Sequence, residues 1–261
     1  MTTNNQPLPK PLRTQLEHTV KSARDVAEKG ASAALSQLAV GEAKAPDYLT
    51  DALKALRRRL RAHGRALGDK KANDDTQALQ QLIWETAYEH WHRMLFARFL
   101  AENGLLLWEP GAAVSLDDCE ALTQETDPAM NLGAKTKWEL AGKLAARMLP
   151  QVFKPQSPVF ALAFAPEHQR ELERLLSGLP PEVFKASDSL GWVYQFWQAK
   201  RKDEVNASEV KIGADELPAV TQLFTEPYMV DFLLHNSLGA WWVTRHPDRP
   251  YPVEHPYLRT L

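Results

Sequence analysis

Apolar residues recur along much of the chain at spacings of three and four, the pattern of helices that bury one face. The longest such stretch ends at Asn103 and Gly104, which are typical of a helix C-terminus. Asp75 or Thr76 is predicted to cap its N-terminus, because either side chain can accept a hydrogen bond from a free backbone N–H. We expect this helix to lie in the core. Its predicted buried face comprises Leu79, Leu82, Ile83, Trp91, Met94 and Leu95.

A second amphipathic stretch is strongly basic. Its leucines, from Leu49 to Leu60, are three and four residues apart, and Pro46 with Asp47 predicts where the helix begins. A helix with this charge can follow a DNA backbone by neutralising phosphates and releasing counterions. It can equally be a solvated face, and both interpretations stay open. The candidate DNA-binding residues are Arg57, Arg58, Arg59, Arg61 and Arg65.

The remaining segments also favour helices. Residues 13–40 have a helical composition that is interrupted near Gly30, which predicts a helical hairpin. The apolar run 159–165 fits either a short strand or a buried turn of helix. Ser187 or Asp188 is predicted to cap the helix that follows it. The predicted fold is therefore mainly α-helical with little strand. It divides into an N-terminal arm and helical segment (1–45), a helical scaffold (46–185) and a helical connector (186–261).

Composition narrows the class of protein. Hydrophobic residues make up 44% and charged residues 25% of the 261, which are ordinary globular values. The formal charge of −2 creates no global field for nucleic acid, so DNA contact requires a local basic patch. A single cysteine, Cys119, allows no internal disulfide. The longest apolar run is too short to cross a bilayer, and we expect a cytoplasmic protein without membrane contact.

The common catalytic signatures are absent. The chain contains no Gly-x-Gly, Cys-x-x-Cys, His-Glu-x-x-His, Gly-x-Ser-x-Gly or Asn-Pro sequence. His90 and His92 are two residues apart, so on a helix they point in different directions and suit chelation poorly; we expect one to be partly buried and the other solvated. Asp231 and His235 have the spacing of a structural pair or a proton relay on one helix face, and we favour the structural pair. We predict no catalytic and no metal-binding residues in this chain.

A nuclease interpretation rests on the Glu-x-Lys of "SEVK". Glu209 and Lys211, with Asp188 or Asp203 as an upstream carboxylate, have the residue types of an Mg²⁺-dependent site. Such a site needs Glu209 on a buried strand, whereas the residues before it are polar. The nuclease is therefore the third of three interpretations.

Two regions resemble a known family. "AYEHWHRMLFARFLAENGLL" and "SLGWVYQFW" followed by "KIGADELPAVTQLFTEPYMVDFLLHNSLGAWW" are similar to segments near the N-terminus of large adenine-specific DNA methyltransferases of phage-defence systems. The type I and type IIG restriction-modification methyltransferases share a looser version. The resemblance is to the BREX (PglX-like) and DISARM enzymes, and within them to the DISARM type. It covers Ala87–Leu106 and Leu190–Trp242.

The resemblance implies a cofactor, S-adenosylmethionine, and residues close to it. Phe224, Thr225 and Glu226 correspond to the family's Phe-Thr turn beside the cofactor, with Thr225 as the expected helix cap. Glu226 shifts Pro227 by one position from the common pattern. The family's Gly-rich cofactor loop and Asn-Pro-Pro-Tyr/Phe motif, which holds the flipped adenine, do not occur here.

The leading interpretation is the N-terminal helical part of such a methyltransferase, preceding a Rossmann-like catalytic domain that these residues lack. The implied partners are duplex DNA and other proteins of the defence system. We expect no methyl transfer by this chain alone, and only weak S-adenosylmethionine binding. The alternative is a helical DNA- or protein-binding module of a defence complex.

Overall fold

The computed structural model describes residues 6–208, 211–213, 217–221, 224–249 and 254–259. The chain forms two compact units, a larger one of residues 14–185 and a smaller one of residues 1–13 and 186–261. The predicted division into three parts stays a prediction. The helices are α1 Lys10–Gln37, α2 Asp51–Ala66, α3 Gln80–Glu102, α4 Leu116–Thr123, α5 Pro128–Asn131, α6 Lys137–Met148, α7 Pro150–Phe153, α8 Pro166–Ser177, α9 Pro181–Lys185, α10 Ser189–Ala207, α11 Leu217–Thr221, α12 Pro227–Leu234 and α13 Ala240–Arg245.

The mainly α-helical fold predicted from the sequence is confirmed. Among the described residues, strand is limited to a two-stranded antiparallel hairpin, β1 Leu107–Glu109 and β2 Ala112–Ala113. A 3₁₀ turn, Pro158–Ala161, and a π-helical turn, His235–Gly239, complete the regular structure. None of the described helices is long and apolar enough to span a bilayer.

Helix α3 is the centre of the larger unit, where it contacts α2, α6, α8 and α9. Its buried residues, which include Leu82, Trp91 and Leu100, lie around most of the helix rather than on one face. It ends as predicted, with Asn103 at the C-cap and Gly104 at φ +65°. A core helix was therefore predicted correctly, but α3 is covered on more sides than its apolar spacing indicated.

The predicted break at Gly30 is wrong, because α1 continues through it to Gln37. A Cβ atom added at Gly30 would lie 3.0 Å from Cδ2 of Phe164 and 3.2 Å from Cβ of His168. The glycine therefore allows the close approach of a neighbouring segment within the larger unit. It does not end the helix.

Both predicted helix starts in the larger unit are also corrected. Helix α2 begins after Thr50, whose hydroxyl accepts a hydrogen bond from the Leu53 N–H at 3.3 Å, and not at Pro46–Asp47. Helix α3 has no side-chain cap at Leu79. Instead, the buried carboxylate of Asp69 accepts hydrogen bonds from the N–H groups of Gln81 at 2.8 Å and Leu82 at 3.0 Å. The segment that follows α2 thus supplies the acceptor that the first turn of α3 needs.

The open choice for the run 159–165 is resolved. It begins in the 3₁₀ turn Pro158–Ala161 and continues in extended conformation from Leu162 to the start of α8. Val159 and Phe164 are buried, whereas Ala161 and Ala163 are exposed. The segment is therefore half turn and half extended chain, without strand partners among the described residues.

Candidate functional site

The Phe-Thr turn predicted to approach the cofactor lies in the smaller unit, where Phe224 is held by α10. Its ring centroid is 5.2 Å from that of Trp192, and its N–H donates a hydrogen bond to Oε1 of Gln195 at 2.7 Å. A Cβ added at Gly191 would overlap the Cδ2 and Cε2 atoms of Phe224 and lie 2.8 Å from Cζ. The Leu-Gly-x-x-Tyr helix and the Phe-Thr turn, the two motifs of the resemblance, are therefore packed against each other.

The cap of α12 differs from the prediction. Glu226, not Thr225, is the N-cap residue, and Pro227 takes the first helical position. The carboxylate of Glu226 does not cap the helix but lies 3.6 Å from the guanidinium of Arg13. That guanidinium lies 4.6 Å from the ring centroid of Trp192. Glu226 is thus linked through Arg13 to Trp192, the ring that also packs against Phe224, while Thr225 is exposed.

Asp188, predicted as a helix cap or a metal ligand, has a structural role in the smaller unit. Its carboxylate accepts hydrogen bonds from the Leu8 N–H at 2.7 Å and from Nε1 of Trp192 at 2.8 Å. It does precede α10, but its side chain does not cap that helix. Glu209 of the nuclease interpretation lies outside the described residues.

The helices after the Phe-Thr turn expose a continuous series of large apolar side chains. Leu233 and Leu238 are each 64% exposed and Trp241 is 56% exposed. No residue of α12 is buried. We call this set the apolar face; it comprises Tyr228, Met229, Val230, Phe232, Leu233, Leu234, Leu238, Trp241 and Val243. Monomeric proteins seldom expose so many adjacent apolar residues without a partner.

His235 does not form the predicted structural pair with Asp231. His235 is buried and its ring stacks on that of Tyr257 at 5.9 Å, whereas Asp231 is exposed. Asn236 secures the same segment by donating to the Tyr257 carbonyl at 2.7 Å and accepting from the Arg259 N–H at 2.9 Å. Residues 254–259 therefore contact the π-helical turn, and Arg259 lies 5.2 Å from the ring centroid of Phe232, but Leu233, Leu238 and Trp241 of the apolar face stay exposed.

The candidate DNA-binding arginines of α2 fall into two groups. Arg57 and Arg61 are buried and donate to backbone carbonyls of residues 39–42, with a further bond from Arg61 to the Asp75 carbonyl at 2.6 Å. Burial, and secondarily the charge of Arg61, lowers the pKa of Arg57. Buried polar groups need such partners, so these two side chains hold the loop before α2 in place.

The other three arginines, Arg58, Arg59 and Arg65, are exposed. Arg65 donates to Oε1 of Gln77 at 3.1 Å, and Arg59 to the Gln156 carbonyl at 3.1 Å. DNA contact by the basic helix stays a prediction. Of the five candidate arginines, these three are the ones whose side chains the structure leaves exposed for it.

His90 and His92 are both packed against aromatic rings. His90 contacts the ring of Phe164 at 4.3 Å, its Nε2 lies 3.0 Å from the Val159 carbonyl, and burial lowers its pKa to about 4. His92 stacks on Tyr88 at 5.3 Å and burial lowers its pKa as well. The expectation of one solvated histidine is therefore wrong. The described residues contain no cluster of three or more potential metal ligands.

One cleft of the larger unit was missed by the sequence analysis. It is lined by basic, aromatic and small side chains from α2, α3, α6, α8 and the segment 155–164, and its volume is about 750 Å³. Because these residues are widely separated along the chain, no local motif brings them together. The sequence indicates the cleft only in part, because Arg93 lies within an aromatic-rich helix.

Comparison with known proteins gives two relatives. No protein-family profile matches the chain. It is 38% identical over 79 residues to the adenine-specific methyltransferase BrxX of Escherichia coli O9:H4 (strain HS), an alignment that spans 30% of this chain and 6% of BrxX. It is 25% identical over 228 residues to the adenine-specific methyltransferase PglX of Lacticaseibacillus casei (strain Zhang), spanning 74% of this chain and 19% of PglX.

The chain therefore matches less than a fifth of the length of these curated relatives. Its closer likeness to the DISARM type stays a prediction. The resemblance to the BREX methyltransferases, which the sequence motifs indicated, is confirmed: the chain is similar to the BREX adenine-specific methyltransferases BrxX and PglX.

Proposed function

We propose that this chain is the N-terminal helical part of an S-adenosylmethionine-dependent adenine-specific DNA methyltransferase of a bacterial phage-defence system, acting in the cytoplasm. The observation that carries the proposal is the packing of Phe224 on α10, because it joins the two motifs shared with that family. The similarity to BrxX and PglX supports it independently. The chain contributes a scaffold and one wall of the cofactor pocket.

Phe224, Thr225 and Glu226 are the residues that we place nearest the cofactor. Thr225 is exposed and directly precedes α12, at whose first turn backbone N–H groups are available to a carboxylate. The methionine carboxylate of S-adenosylmethionine has that chemistry. The cofactor supplies the methyl group; the described residues only position one side of it.

The apolar face supports the same proposal. A helix that is apolar on nearly all sides is stable when it is covered from more than one direction. Because the chain matches only 19% of PglX, we propose that the catalytic domain of the same protein covers this face.

Methyl transfer tests the proposed function. Tritium from labelled S-adenosylmethionine should not reach adenine in duplex DNA with this chain alone, because its sequence contains no Asn-Pro-Pro-Tyr/Phe motif. Filter binding of the DNA after incubation measures the transfer, with PglX of Lacticaseibacillus casei as the positive control. Turnover by this chain alone would mean that it holds a complete catalytic site.

A second measurement tests DNA contact by the exposed arginines. The double variant Arg58→Glu/Arg65→Glu should bind duplex DNA more weakly, and the slope of log affinity against log salt should fall by about 2, since each lost phosphate contact contributes about 0.9. Fluorescence anisotropy at several salt concentrations gives both quantities.

The matched control is Arg170→Glu, which changes the charge of an exposed arginine on α8. This variant should leave the salt slope near that of the unmodified chain. If the control loses as much DNA affinity as the double variant, the effect reflects net charge and not contact by Arg58 and Arg65. If the DNA affinity of the unmodified chain does not depend on salt, the alternative is favoured, a protein-binding module of the defence complex.

A further inference from the structure

The missed cleft lies wholly within the larger unit, and we call it the basic–aromatic cleft. It is lined by residues of α2, α3, α6 and α8 and by the segment 155–164. Its volume of about 750 Å³ is within the range of small-molecule sites. The side chains that characterise it are Arg59, Arg93, Lys135, Lys143, Trp138 and Phe160.

Arg93 is one of the four cations of the cleft; it packs against an aromatic ring, and the charges of Glu89 and Glu139 act on it. Its guanidinium carbon lies 4.2 Å from the ring centroid of Phe160. A Cβ added at Gly142 would lie 3.3 Å from the Cγ and Cδ atoms of Arg93, so the glycine of α6 makes room for this side chain. Burial lowers the pKa of Arg93. Among the described residues, none accepts a hydrogen bond from its buried Nε.

The charges that line the basic–aromatic cleft do not cancel. Its two carboxylates already have partners: Glu139 lies 2.9 Å from Nζ of Lys143, and Glu173 accepts from the side chain of Gln169 at 2.9 Å. His90 adds no charge near neutral pH, because burial lowers its pKa to about 4. Four cations against two carboxylates leave a surplus of two positive charges at the lining.

Behind the cleft, Glu89 of α3 is buried and close to both Arg93 and Lys154. Burial, with the nearby charge of Glu85, raises the pKa of Glu89 to about 7. Its carboxyl group is therefore only partly ionised at neutral pH and offsets the surplus incompletely.

Part of the lining is apolar. Phe160, Ala161 and Ala163 of the segment 155–164 contribute to it, and Phe160 is the ring against which Arg93 packs. A guanidinium whose buried Nε has no acceptor among the described residues, two surplus positive charges and neighbouring apolar groups match a ligand with a doubly charged phosphate and a planar ring. A terminal phosphate monoester carries two charges, whereas each phosphodiester of DNA carries one.

From these observations we propose that the basic–aromatic cleft binds a free nucleotide. Its terminal phosphate accepts hydrogen bonds from Arg93 and the neighbouring lysines, and its base lies along the wall of Phe160, Ala161 and Ala163. The inference goes beyond the proposed function and does not depend on it, because the cleft contains none of the residues assigned to S-adenosylmethionine.

Calorimetric titration of this chain tests the proposal, with AMP, ATP, adenosine, inorganic phosphate and a duplex oligonucleotide as probes. AMP or ATP should bind saturably and more tightly than adenosine or inorganic phosphate. Arg93→Met should weaken that binding at least about tenfold, the loss of one charge-assisted contact. Because Arg93 forms few polar bonds within the protein, this variant should keep its fold, which a thermal melt verifies.

Two further variants make the outcomes decisive. Arg170→Met, on the exposed side of α8, should leave binding unchanged. Gly142→Ala should weaken it without any change of charge, because the added methyl group displaces Arg93. The proposal is overturned if no nucleotide binds at millimolar concentration, if adenosine or inorganic phosphate binds as tightly as AMP, if only the oligonucleotide binds, or if Arg93→Met binds AMP as the unmodified chain does.

Discussion

Replacing Arg61 with alanine should destabilise the larger unit by about 3 kcal/mol, although Arg61 lies in a helix whose basic composition predicts DNA binding. Arg61 is 8% exposed and donates to the carbonyls of Val40 at 2.7 Å, Glu42 at 2.5 Å and Asp75 at 2.6 Å. Each lost hydrogen bond contributes about 1 kcal/mol, and the carbonyls that lose a charged donor are left poorly satisfied. Urea denaturation followed by circular dichroism gives the free energy of unfolding.

Arg58→Ala is the matched control, since Arg58 is a neighbouring exposed arginine of the same helix. Its effect should lie within about 0.5 kcal/mol, as for most surface substitutions. If the two variants were equally stable, the carbonyl bonds of Arg61 would contribute little and the arginine would be available for another role. The comparison also explains why Arg61 is not among the variants of the DNA measurement: weaker DNA binding by an Arg61 variant would reflect loss of the fold.

Replacing Gly191 with alanine should destabilise the smaller unit by about 1 to 3 kcal/mol, the range for inserting a methyl group where there is no space. The new Cβ would occupy the position of the Phe224 ring, so this ring must leave its site beside Trp192. The hydrogen bond from the Phe224 N–H to Gln195 should weaken as the turn moves. Hydrogen exchange of residues 224–229, compared with α10, reports the displacement.

Two further variants distinguish steric overlap with Phe224 from a general effect of replacing glycine with alanine. Gly178→Ala, at the end of α8, meets its nearest neighbour at an ordinary 3.4 Å and should be close to neutral. Adding Phe224→Ala to Gly191→Ala should recover part of the lost stability, because it removes the clashing ring; the coupling energy of the double-mutant cycle measures this. Strictly additive effects would show that Gly191 and Phe224 do not contact each other.

The arginines of α2 show how much of the structure can be predicted from residue types alone. Five arginines within nine positions share one composition and one predicted role, yet two of them lie on the buried side of α2 and three on the exposed side. The helical period of α2 predicts that the five side chains point in different directions. It does not reveal that backbone carbonyls of the preceding loop accept hydrogen bonds from Arg57 and Arg61. That information depends on contacts between residues 14 to 21 positions apart.

For glycine and acidic residues too, the residue type alone does not predict the structural role. Gly30 and Gly104 are alike in sequence, but one allows close packing inside α1 and the other ends α3 at a positive φ. Asp69, one acid in a basic stretch, caps α3 from twelve residues away, whereas the local candidates Asp75 and Thr76 do not. Local propensity identifies residues suited to a cap, and tertiary packing selects which of them is used.

By itself, the sequence determined the helical class, the core position of α3 and its end, and the likeness to BREX adenine-specific methyltransferases, because helical periodicity and contiguous motifs are local properties. The tertiary structure decided which arginines are buried, why Gly191 must lack a side chain, and that Arg93 faces a cleft built from five segments. The physical reason is the same in each case. Burial, overlap and the pairing of charges depend on distances between residues far apart in the chain, which only the packed helices establish.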